Sequence, residues 1–209
     1  MLSPVAMLAW TGAVSLFLLA LRTWSDERAA RRCARMGLAG MMLAMGAALY
    51  THDVVSLPEM LSMAALGSGI GYLIARRAPM WSAWPIITLL QAMIGAALLL
   101  TAFAIDGNAI AFAMLTPDDA RLTGTSMALL GLSKACGAIV LLGSLLLCRA
   151  MVGARAGVER WLALLASLSG WGGVAIALLL GEAGLAGMSG IVGAGGLVLG
   201  LLLRPAKTD

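Results

Sequence analysis

The sequence predicts an all-α polytopic membrane helix bundle of about seven transmembrane helices, with the N-terminus outside and the C-terminus cytoplasmic. Three observations predict it. Hydrophobic residues make up 61% of the 209 and charged residues only 11%, against roughly a quarter charged in a soluble domain, so lipid must cover much of the surface. The apolar residues fall into seven stretches, at about 4–21, 36–50, 57–75, 83–105, 122–148, 159–180 and 184–203, separated by Arg, Pro or Asp clusters. The basic residues, finally, alternate by loop. Twelve Lys and Arg collect on one side, in the runs Arg22–Arg35, Arg76–Arg77, Arg149–Arg160 and Arg204–Lys207, and only Arg121 on the other. That bias places the basic side in the cytoplasm and requires an odd number of spans.

The first stretch lacks a basic n-region and its charges follow the apolar run, the reverse of a secretory signal, so it is expected to remain as a helix. The second is short and its ends are the least defined. The third opens on Pro58-Glu59, where proline suits a first helical turn and a carboxylate the positive helix end, so Glu59 reads as a capping residue. Seven spans of about 20 residues occupy roughly 140 positions, so residues 1–209 are expected to form a single transmembrane domain with no soluble domain.

Trp24, Trp81, Trp84 and Trp161 fall beside predicted helix ends, where an indole keeps its N–H wet and its ring in the acyl boundary. They read as interfacial anchors, not a substrate cage. Glycine, at 26 residues, recurs inside spans. Gly67, Gly71, Gly170, Gly193, Gly196 and Gly200 are read as positions where helix backbones approach closely in lipid. Gly67-Ser-Gly-Ile-Gly71 superficially suggests a dinucleotide fingerprint, but it sits inside an apolar run with no strand before it, so packing is preferred.

Several chemistries are excluded. The three cysteines have no metal-ligand spacing and the single histidine, His52, falls in a loop, so no metal site is expected. No nucleophile, base and orienting acid come together, and no catalytic residue is assigned; Asp118-Asp119 after Pro117 reads as a solvated turn. The net charge of +4 is spread over loops and forms no stripe, so nucleic acid is not an expected partner. What remains is a candidate intramembrane polar site of Lys134, Gln91 and Ser133. Lys134 lies near the middle of the fifth stretch, too deep to reach either surface easily from a regular helix, and is either a cation in a conduction path or at an anionic headgroup, or a lysine that snorkels or pairs with a partner chain. Gln91 can link helices or hold water but cannot titrate.

Five blocks, in order, resemble the membrane portion of the β subunit of the proton-translocating NAD(P)+ transhydrogenase. They are Gly37-Leu-Ala-Gly-Met41, Gly67 through Met80, Pro85 through Leu100, Ser167-Leu-Ser-Gly-Trp171 and the glycine-rich last span. The resemblance implies a bacterial inner (cytoplasmic) membrane. It also implies a proton path through a histidine, a serine and an asparagine, whose places are taken here by Gln91, Ala138 and Ala166, the second only with a one-residue gap. Glutamine cannot change charge where histidine can, and alanine offers no side-chain hydrogen bond. Lys134 has no counterpart in the family pattern. The family's nine spans precede a soluble NADP-binding domain, whereas this chain stops shortly after the seventh stretch, with two spans missing between the fifth and sixth. No cofactor is therefore expected on this chain beyond bound lipids. The expectation is a non-catalytic accessory or structural subunit, packed against other membrane subunits of a transhydrogenase-type or another energy-transducing complex. The alternatives are a proton-conducting subunit of a split transhydrogenase and, third, a small-solute or lipid-binding membrane protein.

Overall fold

In the computed structural model the described residues are 4–22, 27–51, 57–77, 83–112, 114, 122–150 and 157–202. They form seven α-helices: α1 Pro4–Arg22, α2 Glu27–Thr51, α3 Leu57–Arg77, α4 Ala83–Gly107, α5 Gly124–Ala150, α6 Val158–Leu179 and α7 Ala183–Leu202. No strand occurs among the described residues. Four helical segments, Trp84–Gly107, Gly124–Ala150, Val158–Leu179 and Ala183–Leu202, are long and apolar enough to cross a bilayer. Shorter apolar stretches, Met7–Leu19 and Ala64–Ile74, lie within α1 and α3. The chain is a multi-pass membrane helix bundle.

One helix differs from the hydropathy pattern by much more than a turn's end. α2 begins at Glu27, nine residues before the apolar stretch, so the arginine run predicted as a loop is helical. The reason is local: Glu, Ala and Arg are strong helix formers. Hydropathy locates lipid; it does not locate the end of a helix.

The helix ends carry their own chemistry. Thr123 precedes α5 and accepts a hydrogen bond on Oγ1 from the Ser126 backbone N–H at 3.3 Å, satisfying a donor the helix leaves orphaned. α6 ends in a tight turn into α7. Gly181 has φ +71; its N–H donates to Leu178 O at 3.3 Å, and that of Glu182 to Ala177 O at 2.8 Å. This is the Schellman closure, which needs the left-handed conformation that glycine adopts without strain.

The contacts divide the chain into two compact units, Met1–Arg77 and Ala78–Asp209. In the first, α1 and α2 pack together. Trp10, Ala13 and Ala47 are buried, and a Cβ on Gly40 would meet the Phe17 ring at 3.2 Å. In the second, α5 runs antiparallel to α4 and to α6, and α7 antiparallel to α6. The close approaches that give this order are Gly95 to Leu141 and Gly137 to Leu99 between α4 and α5, Gly143 to Leu165 between α5 and α6, and Gly170 to Gly193 between α6 and α7. Ala102, Ile105, Leu130 and Ile176 close one end of this unit as a buried apolar cluster.

Candidate functional site

The interior of the second unit is built by glycines that bring backbones together and by a few neutral hydrogen-bonding side chains. Between α6 and α7 a Cβ on Gly170 would lie 2.5 Å from Gly193 Cα, and one on Gly196 would lie 2.6 Å from Ser167 N and 2.7 Å from Ala163 O. A Cβ on Gly200 would meet Leu164 Cδ2 at 2.8 Å. Across the same seam the Ser167 hydroxyl donates to Gly193 O at 2.7 Å. In lipid, where apolar burial drives little association, such backbone proximity and interhelical hydrogen bonds hold helices together. Gly67 and Gly71 stand differently: among the described residues no neighbouring helix comes within 4 Å of a Cβ placed on either.

Gln91 stands at the junction of α4 and α6. Its Nε2 donates to Ser169 Oγ at 3.1 Å, and that hydroxyl donates in turn to Ala166 O at 2.8 Å. Gln91 and Ala166 are thus linked through Ser169, whose part in the junction sequence reading missed. The serine is visible in the sequence only as one small polar residue among several; nothing in its spacing marks it as the glutamine's partner. One turn before Gln91, Thr88 is fully buried and donates to Trp84 O at 2.8 Å, closing its polarity within its own helix. Ala138 is half-buried on α5, beside the Gly137 that packs on α4. Every side chain in this junction is neutral, and none of them takes up or releases a proton near neutral pH.

Lys134 is not part of the junction. Its Nζ pairs with Asp106 Oδ2 and stands 4.7 Å from the centre of the Phe103 ring. Asp106 falls just past the predicted apolar stretch 83–105; it is the penultimate residue of α4. The same pair places the Lys134 ammonium at the last turn of α4. The residue lies ten positions into α5, roughly 15 Å from its start at 1.5 Å per residue. A helical side chain leans toward its own N-terminus, and here that brings the ammonium to the last turn of α4, whose carbonyl ends also favour a cation. The partner of Lys134 is thus an acid of its own chain. Ser133, the neighbour of Lys134, points the other way. It is fully buried, with no hydrogen-bond partner for Oγ, so the three residues Lys134, Gln91 and Ser133 do not form one site. Gln91 and Asp106 are fifteen residues apart on α4, roughly 22 Å along the helix axis.

The tryptophans follow their helix ends where they are described. Trp84 and Trp161 lie in the first turns of α4 and α6 and are largely exposed. Trp24, Trp81, His52, Asp118, Asp119 and the side chain of Glu59 lie outside the described residues.

Comparison with known proteins gives a family match over residues 6–158, to the NAD(P) transhydrogenase beta subunit. Two curated relatives, both the NAD(P) transhydrogenase subunit beta of Rhodospirillum rubrum, are each 29% identical over 146 residues. The alignment covers 70% of this chain and 31% of the relative, so the chain spans about a third of the length of the curated relatives it matches. The family match takes in Gln91 and Ala138 and ends at Val158, the first residue of α6. Ala166, the Ser167–Trp171 block and the last helix lie beyond it.

Proposed function

The chain belongs to the NAD(P) transhydrogenase beta subunit family, and from that premise we propose that it works as a non-catalytic, structural subunit packed in a larger membrane complex. Its partners are other membrane subunits, transhydrogenase-type or of another energy-transducing assembly, and its setting is a bacterial inner membrane with the N-terminus outside. The observation that carries this reading is the Gln91–Ser169–Ala166 junction. The family's path, as the resemblance implies it, includes a histidine that can change charge; the amide, hydroxyl and backbone carbonyl of this junction include no such group and fasten helices instead. Purification of the full chain from native membranes in mild detergent tests the role: a stoichiometric co-purifying membrane subunit is expected, and a chain that migrates alone contradicts it.

A second reading, a proton-conducting subunit of a split transhydrogenase, draws on family membership and on the charge of Lys134. Lys134 is engaged by Asp106 at the far end of α4 from Gln91, which separates this cation from the junction by about four turns of helix. If this reading holds, membrane vesicles show hydride transfer coupled to proton movement, and Lys134→Met abolishes the coupling; coupling that survives the substitution removes Lys134 from the route.

A further inference from the structure

The Lys134–Asp106 pair has a place, a charge pattern and an exposure that the packing of the chain does not use. α4 has 25 residues, about 37 Å of helix against a hydrocarbon core of about 30 Å, so its last turn, which holds Asp106, reaches the headgroup layer. The side chains are open to the surroundings, 25% for Lys134 and 45% for Asp106. Among the described residues the pair engages one carboxylate oxygen, Oδ2, and an ammonium has three N–H donors. Beneath the pair, toward the middle of the helix, Leu100 and Phe103 expose 68% and 54% of their surface, an apolar track continuous with the charges above.

We propose that this face of α4 and α5 binds the headgroup of a zwitterionic phospholipid carrying a primary ammonium, a phosphatidylethanolamine. Lys134 holds the phosphate, Asp106 accepts a hydrogen bond from the lipid ammonium, and an acyl chain lies along Phe103 and Leu100. Charge complementarity selects the occupant. A cation and an anion side by side match a headgroup with an anion and a cation side by side, and both new contacts are charge-assisted hydrogen bonds. An anionic glycerol headgroup brings its phosphate toward Lys134 but also toward the Asp106 carboxylate, with no cation to compensate. A choline headgroup has the cation but no N–H to donate. The site is separate from the Gln91 junction, and its occupancy does not depend on whether the chain is a scaffold.

The test is native mass spectrometry of the full chain released from vesicles containing equal parts phosphatidylethanolamine, phosphatidylcholine and phosphatidylglycerol. The wild-type chain is expected to retain phosphatidylethanolamine over each of the others by about tenfold, the worth of one charge-assisted hydrogen bond. Asp106→Asn erases that preference, Asp106→Glu keeps it, and Lys134→Met lowers retention of all three lipids, whose shared phosphate the ammonium holds; an Asp106→Asn variant that keeps the preference overturns the proposal. Equal retention of the three lipids by wild type, or preference for phosphatidylglycerol, overturns the proposal, and this arm needs no variant to fold. A photo-crosslinking residue in place of Phe103 is expected to label lipid in native membranes; labelling of a protein chain instead assigns the face to a subunit and also overturns it.

Discussion

The two polar features of the α4–α7 unit divide by position along the same helix. Gln91, in the interior, meets Ser169 of α6 through a neutral hydrogen bond of 3.1 Å. Asp106, at the last turn, meets the Lys134 ammonium of α5 on an open face. Burial explains the division. An ion is costly to hold in hydrocarbon, whereas a neutral amide that finds a partner costs little, so charge survives only where a side chain can lean to the membrane surface. In this unit the Lys134–Asp106 pair stands at an end of α4, and the Gln91–Ser169–Ala166 junction is fastened by groups that stay neutral. The interior also depends on helix proximity: Ser169 lies next to Gly170, which holds α6 against Gly193 of α7.

The comparison breaks most severely if that proximity is removed. Gly196→Leu forces a side chain into Ser167 N and Ala163 O, which are backbone atoms unable to swing aside. The expected loss is about 3 kcal/mol, at the upper end for overpacked sites, read as a drop in the midpoint of thermal unfolding in mild detergent. Gln91→Leu removes one interhelical hydrogen bond, while Ser169 keeps its bond to Ala166 O; about 1 kcal/mol is expected by the same assay, in line with such bonds in membrane helices. Lys134→Met takes one partner from an open pair, and less than about 1 kcal/mol is expected. Smallest of all is the coupling between the last two changes. The double variant should equal the sum of the singles within about 0.5 kcal/mol, because sites this far apart act independently; a larger coupling joins the interior and the end into one network.

Much of the fold was legible because hydropathy and charge alternation report on lipid directly. Apolar stretches locate helices, and six of the seven begin and end within two residues of the predicted stretches. The exception, α2, shows the limit, since the arginine-rich segment is helical through propensity, not through apolarity. Glycine content was legible, but its partners were not. Gly95 shares α4 only with the terminal Gly107, and Gly137 stands six or more residues from the other glycines of α5, so neither carries a Gly-xxx-Gly spacing although they bring α4 and α5 together, while the conspicuous Gly67 and Gly71 of α3 meet no neighbouring helix among the described residues. Which glycine meets a neighbour depends on helix rotation, a property of the pair and not of either sequence alone. In the candidate site, the amide of Gln91 was recognisable as a helix link. Asp106 was missed because an acid at the edge of an apolar run looks like a loop until the register with α5 places Lys134 one lysine length away.

The central claim, that the Gln91–Ser169–Ala166 junction holds no side chain that changes charge near neutral pH, is tested most directly by dye-monitored proton uptake into vesicles containing the purified full chain, between about pH 6 and 8, where a histidine would change charge. The neutral junction predicts uptake equal to the leak of protein-free vesicles at every pH. Uptake above that leak that falls in Gln91→Leu or Lys134→Met contradicts it.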